Sequence, residues 1–556
     1  MAQVGSAVAQ ARLLGLLVMA AGATTVASAL FPPWRGRVRL AEELLTVEGT
    51  GLATGAAILV GLGLILVGRG VAQRRRLACH ATIALLVAAS LTHLAKGFAV
   101  EEAAVTAALA GVLWWRRSLF VVPLPPGRLG TLGRIAVAMV TLDLGYGVIG
   151  LVWQASRGTA LTPRRVAGEV TAGLAGLPGP APITGHFGHW FPVSLTAMGM
   201  ATVSTLLLIA LAPVALRGGG PPTERDEVSR LLDRADGDTL DPFILRYDKR
   251  WIFSVRRDAA LGYRYVNGVG LASGDPVGDP ADFPDAVREF LDLCECHGWR
   301  PALVGARVDR LPLYQRMGLR AIYIGAEAVI NVDRYSLDGR RMRNVRQAVH
   351  RARNAGATTQ ILPERELDPA LRRTLLGVAS AQRAEHREFG YFMALGDLLT
   401  GAYPDCLIVV CRDRTGEPVA FQRYTQCQAG RALSLDTMRR TPGGPNGVNE
   451  AMIVGVVDWA RAHGVSQMSL NFAAFCSLFD PAVERRPGQA LEALLIQSLE
   501  GRFGIQMNTL RRFNAKFQPE WIPRYLIYRS LADLPAIGLA ALSAEGFLPF
   551  DRTRLP

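Results

Sequence analysis

The sequence is short of anything that would build a covalent or metal-held framework. Its 556 residues include seven cysteines (Cys79, Cys294, Cys296, Cys406, Cys411, Cys427 and Cys476), and no two form a CxxC pair. No histidine falls at zinc-ligand spacing. The odd count and the missing motif exclude a disulfide scaffold and a zinc ribbon, and read as free thiols in a reducing compartment. No metal site is expected. Acid is scarce relative to base: 47 Asp and Glu face 61 Lys and Arg, a formal charge of +14 with pI near 9.9. That balance favours an anionic partner, nucleic acid or an anionic membrane surface. The first apolar run lacks a small-residue cleavage site and is too long for a removable signal peptide.

What is present is unevenly spread. The chain is 50% hydrophobic with mean hydropathy +0.21, and nearly all of the excess lies before residue 217. About 20 apolar residues cross a bilayer core. Six such segments lie near 11–31, 51–68, 78–98, 99–115, 133–154 and 191–215. Arg12, then Arg69, Arg74, Arg75 and Arg76, then Arg116, Arg117, Arg128 and Arg134, then Arg217 mark alternate ends. The other loops mix signs, as in Arg35, Arg37 and Arg39 with Glu42, Glu43 and Glu48. The positive-inside rule then puts both termini in the cytoplasm of a multi-pass cell-membrane protein. Asp143, His93 and Lys96 are read as helix-packing and snorkelling groups rather than a transport path. The 155–190 segment is read as an extracytoplasmic loop.

After a linker at 218–222 the pattern changes to α/β. Helices are expected at Glu224–Asp236, Asp282–Gly298 and Leu311–Met317, with strands at Trp251–Val255, Gly262–Val266, Val269–Ala272, Pro301–Gly305 and Leu319–Val332. A second run has helices at 339–354 and 366–387, strands at 406–412, 418–425 and 431–438, a helix at Leu491–Arg502 and a last strand at Tyr525–Tyr528. The expected domains are 1–217 (membrane), 218–332 and 333–556 (two copies of one α/β unit). Helix 339–354 places Arg343, Arg346, His350 and Arg353 on one face and Met342, Val345, Val349 and Ala352 on another. The basic stripe suits phosphates or an anionic bilayer.

The centre of this half is Ala432–Phe475. Alternation at Leu433, Leu435 and Thr437 is a strand period, Thr441–Gly447 is all turn formers, and Met452, Val456, Trp459 and Ala460 have helical spacing closed by Gly464. A glycine-rich loop feeding a helix N-terminus offers N–H groups to an anion or a developing oxyanion. Further on, Arg511–Tyr525 mixes cations, aromatics and prolines in a run too irregular for a simple helix.

The string Leu313-Tyr314-Gln315-Arg316-Met317-Gly318-Leu319 resembles the closing part of the GCN5-related N-acetyltransferase fold. That fold's pyrophosphate motif, Gln/Arg-x-x-Gly-x-Gly/Ala, has a near match at Arg440–Pro445, where Pro445 replaces the last small residue. Five longer strings then resemble the phosphatidylglycerol lysyltransferase family: LASGDPVGDP at 271–280, YQRMGLRAIYIGAEAVI at 314–330, RRMRNVRQAVHRARNAG at 340–356, LSLDTMRRTPGGPNGVNEAMI at 433–453 and NAKFQPEWIPRYLIY at 514–528. The resemblance is to the mycobacterial-like type, without the fused lysyl-tRNA synthetase.

The resemblance implies a transmembrane helical bundle followed by cytoplasmic tandem acetyltransferase-like lobes. It implies transfer of an aminoacyl group, lysyl for this family, from aminoacyl-tRNA to phosphatidylglycerol. The product is a cationic lipid that lowers attraction for cationic antimicrobial peptides. No cofactor is implied; the partners are aminoacyl-tRNA, phosphatidylglycerol and the anionic membrane, with monomer and homo-oligomer both open. Lys516, Asp436, Glu450 and Arg440 are the catalytic candidates. Lys516 and Arg440 would serve the oxyanion or phosphates, and Asp436 and Glu450 the donor amine or proton transfer. Arg439, Asn446, Gly447, Asn471, Arg524 and Asp275 are candidates for substrate binding, and Arg343, Arg346 and Arg353 for tRNA or membrane. The alternative readings are an acyl-CoA-dependent acyltransferase and a lipid flippase with a regulatory soluble domain.

Overall fold

The structure, a computed structural model, describes residues 2–30, 47–95, 100–122, 126–155, 162–211 apart from 178, 182 and 184, 219–234, 237–383, 392, 394–474 and 510–546. The chain divides near residue 214 into two compact units.

The first unit is helical: α1 (Ala2–Leu30), α2 (Val47–Ala72), α3 (Arg76–Ala95), α4 (Val100–Trp115), α5 (Pro126–Ala155), α6 (Pro163–Leu174) and α7 (Gly185–Leu211). The described part of each expected span is helical, and residues 31, 96–99 and 212–215 of those spans lie outside the described residues. By length and composition, three stretches of the described residues can cross a membrane: Gln10–Ala27, Gly130–Ala155 and Trp190–Ala210. Val60–Ala72 and Arg76–Leu91 are apolar but shorter. Helix α6 corrects the reading of 155–190 as loop: Thr162 caps it, Pro163 starts it, and Glu169, Val170 and Gly173 are buried. Helices α1 and α2 pack backbone to backbone, since a Cβ on Gly15 would lie 2.7 Å from the Gly68 carbonyl oxygen. Thr202 donates to Asp143 at 2.7 Å, and His93 pairs with Glu102 at 2.8 Å, so both groups tie helices together. Lys96 lies outside the described residues.

The second unit is built on one 12-stranded sheet. In chain order it comprises α8 (Pro222–Arg234), β1 (Arg250–Phe253), β2 (Ala259–Val266), β3 (Val269–Ser273), β4 (Val277–Gly278), α9 (Phe283–His297), β5 (Arg300–Arg307), α10 (Leu311–Arg316) and β6 (Arg320–Asn331). Then come α11 (Arg343–Asn354), β7 (Thr358–Pro363), α12 (Pro369–Arg383), β8 (Leu407–Arg412), β9 (Pro418–Cys427), β10 (Ala432–Arg440), α13 (Val448–Ala462), β11 (Gln467–Ala474), β12 (Glu520–Tyr528) and α14 (Leu534–Glu545). The expected helix at Leu491–Arg502 lies outside the described residues. The six described cysteines are free thiols.

The strand order is β1-β2-β3-β5-β12-β6-β11-β10-β9-β8-β7, with β4 against β2. Among the described strands of this sheet, β3 with β5 and β10 with β11 run parallel, each pair joined through one helix; the other pairings are antiparallel. Each half of the sheet holds one such parallel pair, and the strands beside the pairs are exchanged between the halves. β12, from the end of the chain, lies against β5, while β6 lies against β11. The β6–β12 ladder joins the halves, so hydrogen bonding runs straight through the expected boundary at 332. The second half packs α11 and α13 on the sheet through Met342, Val345, Val349, Ala352, Met452, Val456 and Ala460.

Candidate functional site

Strands β10 and β11 pair only from Ala432–Ser434 to Gln467–Ser469 and then part. Both are irregular where they part: β10 shifts register against β9 between Leu435 and Thr437, and β11 against β6 between Ser469 and Phe472. Asp436 and Asn471 occupy these breaks. Asn471 has φ +75°, and its side-chain amide donates 2.9 Å to the Leu435 carbonyl, bridging the opening. The amide is therefore engaged by the backbone of β10.

The glycine-rich loop leads from this opening into α13. Gly447 is the N-cap in the left-handed region, and no side chain caps the helix. A Cβ there would lie 2.2 Å from the Ala348 carbonyl oxygen of α11. Glycine is therefore required by the approach of two backbones. Asn446 is exposed and does not cap α13. Among the described residues, no side chain accepts from the first-turn N–H groups at the positive end of the helix.

Glu450 sits one turn into α13 and meets Lys516, whose Nζ lies 2.9 Å from Oε1. Glu450 is mostly buried and Lys516 is 41% exposed. The Lys516 ammonium also lies 5.0 Å from the Phe513 ring centroid. Its neighbours fix it: Phe517 is fully buried in the core, and Asn514 donates to the Leu470 carbonyl at 3.3 Å. Among the described residues, 510–515 are helical, where irregular chain was expected. Arg439 and Arg440 end β10, Arg440 exposed and Arg439 donating to the Met438 carbonyl at 3.2 Å.

Asp436 does something other than expected. Its carboxylate is buried and accepts from Arg423 Nε at 2.5 Å and from the Leu395 N–H at 2.7 Å. It cannot present itself to a donor amine; it positions chain. Arg423, missed in the sequence, is also buried. It donates to the carbonyls of Gly396 at 2.7 Å and Asp397 at 3.2 Å and faces Glu364 at 3.6 Å. Burial opposes its charge, but the Asp436 and Glu364 carboxylates outweigh burial and hold its pKa above the usual value. Glu364 accepts from the Gly401 N–H at 2.9 Å. The 395–401 loop is thus strapped to β9 and β10. Arg423 stands among strand residues of RYTQC, and nothing local in that string reveals a partner.

Two other candidates are also corrected. Arg524 is wholly buried, bound by Asp238 and Glu327, with Thr239 and Ser469 donating to the Glu327 carboxylate. It knits β12 to β6 rather than meeting a substrate. Asp275 accepts from the Tyr314 hydroxyl at 2.5 Å and the Arg307 N–H at 2.9 Å, and burial pushes its pKa up to about 6. It lines a cavity of about 460 Å³ with Asp238, Asp241, Asp258, Asp279, Arg307 and Arg310. The residues lining that cavity do not include the glycine loop, Glu450 or Lys516. On α11, Arg343 and Arg353 are exposed, whereas Arg346 is tied to the carbonyls of Leu337 and Gly339.

The lysylphosphatidylglycerol biosynthesis bifunctional protein LysX of Mycolicibacterium gilvum is 36% identical over 460 residues, 80% of this chain and 40% of the relative. That of Mycobacterium avium is 40% identical over 319 residues, 57% of this chain and 27% of the relative. The chain thus spans less than half the length of these relatives. Two solved structures share the fold of the α/β unit, each at TM-score 0.51 over 59% of this chain and 98% of the other. One is the C-terminal domain of a putative lysylphosphatidylglycerol synthetase from Agrobacterium fabrum (24% identical) and the other L-PGS from Bacillus licheniformis (21%). The family model described as phosphatidylglycerol lysyltransferase, C-terminal, matches residues 229–528, and the chain belongs to that family.

Proposed function

We propose that this chain transfers an aminoacyl group, lysyl, from aminoacyl-tRNA to phosphatidylglycerol at the cytoplasmic face of the cell membrane. The observation that carries this reading is the Lys516–Glu450 pair beside the uncapped start of α13, at the mouth where β10 and β11 part. The two acetyltransferase-like lobes are drawn mainly from 218–332 and 333–556, with β6 and β12 exchanged between them and the second lobe holding the centre. The helices of 1–217 form a six-span bundle with both termini cytoplasmic. The cationic product lowers susceptibility to cationic antimicrobial peptides.

The reaction exchanges one ester for another. The lipid glycerol hydroxyl gives up its proton as its oxygen attacks the aminoacyl carbonyl carbon. The carbonyl oxygen becomes an oxyanion, then re-forms the carbonyl as the ribose oxygen leaves and takes up a proton. Lys516 and the first-turn N–H groups of α13 stabilise the oxyanion. Glu450 holds the ammonium in place and accepts the hydroxyl proton. Arg439 and Arg440 bind phosphate, and Asn471 bridges the parted strands. Asp436 and Arg423 fix the 395–401 loop beside this opening.

Mass spectrometry of lipids from cells expressing the chain tests the proposal. Lysyl-phosphatidylglycerol should accumulate; an unchanged lipid profile with the protein present in the membrane would refute it.

A further inference from the structure

We infer that the exposed face of α11 is the docking surface for the phosphate backbone of the donor RNA; this rests on the proposal that the acyl donor is a tRNA. The stretch Gly339–Gly356 contains no acid. Arg340, Arg341, Arg343, Arg351 and Arg353 are all exposed, as is His350. Among the described residues, none of these five arginines makes an ion pair. The nearest acids in sequence, Asp333 and Asp338, lie before the helix, and Asp338 is engaged by Ser336. From Arg343 to Arg353 the helix rises about 15 Å at 1.5 Å per residue, enough to follow several backbone phosphates. Guanidinium forks suit phosphate oxygens better than ammonium points do.

RNA is favoured over a bilayer by what the helix does with its apolar side. A helix lying in a membrane interface spends its apolar face on the lipid. Here Met342, Val345, Val349 and Ala352 are buried in the protein core. Among the described residues, no large apolar side chain is exposed between Val308 and Leu376. The surface offers charge without an apolar anchor. Its position fits as well: the Ala348 carbonyl abuts Gly447, so the helix that would carry the phosphates supports the start of α13. RNA held there would have its acylated end near Lys516 and Glu450.

The test uses the full chain in phosphatidylglycerol vesicles, with Arg341, Arg343, Arg351 and Arg353 changed to Glu, and separately to Lys. Steady-state transfer is measured against lysyl-tRNA and against lipid, at several salt concentrations, beside a thermal melt. The Glu variant should raise KM for tRNA at least 10-fold with kcat retained. It should also flatten the dependence of log binding on log salt by about 0.7–0.9 for each phosphate that is no longer neutralised. The Lys variant should recover part of the affinity and most of the salt dependence, which separates lost charge from lost folding. An unchanged tRNA KM at low salt would overturn the assignment. So would a rise in KM for phosphatidylglycerol alone, which would make the face a lipid-binding one. If the unmodified chain transfers nothing from tRNA, the proposed activity fails first; binding of deacylated tRNA then still decides the surface, and equal binding by the unmodified and Glu forms overturns it.

Discussion

Lys516 Nζ stands 2.9 Å from Glu450 Oε1, although 66 residues separate them in the chain. The cation rests on a turn anchored by Phe517, and the acid on the first turn of α13. Each is supported by core packing, so the pair is held where the helix N-terminus is open. A cation paired with an acid at such a position serves two needs of ester exchange, charge stabilisation and proton removal.

Removing the acid separates these needs. Glu450→Gln should lower kcat for aminoacyl transfer by about 10²-fold, the scale of a lost general base. Because Lys516 is substantially exposed, the pair contributes only about 0–1 kcal/mol to stability. The melting curve should therefore barely move. Turnover close to wild type would leave Glu450 as a tether for Lys516 and nothing more.

The strap under the site is a different kind of interaction. Arg423→Met leaves the carboxylates of Asp436 and Glu364 buried without their cation, which should cost about 3–5 kcal/mol. Asp436→Leu alone strands Arg423 and should cost a similar amount. The double variant should be less destabilised than the sum, with a coupling of about 1–3 kcal/mol. Denaturation of all three beside wild type gives the coupling. Simple additivity would mean that the two side chains do not act together.

Asp275 makes stability depend on pH with a definite sign. Its folded pKa of about 6 lies above the ordinary 3.8 because of burial. The folded state therefore holds a proton that the unfolded chain releases. The stabilisation is complete below about 3.8 and is lost as pH rises through about 6. A difference of about 2 in pKa corresponds to roughly 3 kcal/mol at most. Asp275→Asn should flatten the pH dependence of melting between pH 4 and 6. An unaltered slope in that window would place the titration elsewhere.

Much of this fold is legible in periodicity. The apolar face of α11, the spacing of α13 and the strands β8 to β10 fall where their patterns put them, because each buries one face against the core. Pairing over distance is not legible. β12 fills the gap beside β5 by pairing with residues more than 200 positions away in the chain, and no local pattern reports that. β7 escapes a reading of the sequence because its residues are exposed or half-buried and give no strong alternation. The errors at the site share one cause. Asp436, Arg524 and Asp275 stand in the sequence as candidates to meet substrate, because charged side chains are seldom buried unless paired. Their partners Arg423, Asp238 and Tyr314 become visible only in three dimensions. Lys516 and Glu450 enter as separate candidates through the family resemblance, but their pairing across 66 positions has no local signal.

We propose above that this chain moves an aminoacyl group from tRNA to phosphatidylglycerol with Lys516 at the oxyanion. The most direct measurement is transfer of labelled lysine from lysyl-tRNA into the lipid of phosphatidylglycerol vesicles carrying the full chain. Wild type should label the lipid, and ribonuclease pretreatment of the donor should abolish labelling. Lys516→Ala should melt like wild type yet transfer about 10²-fold more slowly, with only partial recovery in Lys516→Arg. No labelling by wild type would contradict the activity; undiminished transfer by Lys516→Ala would contradict the site.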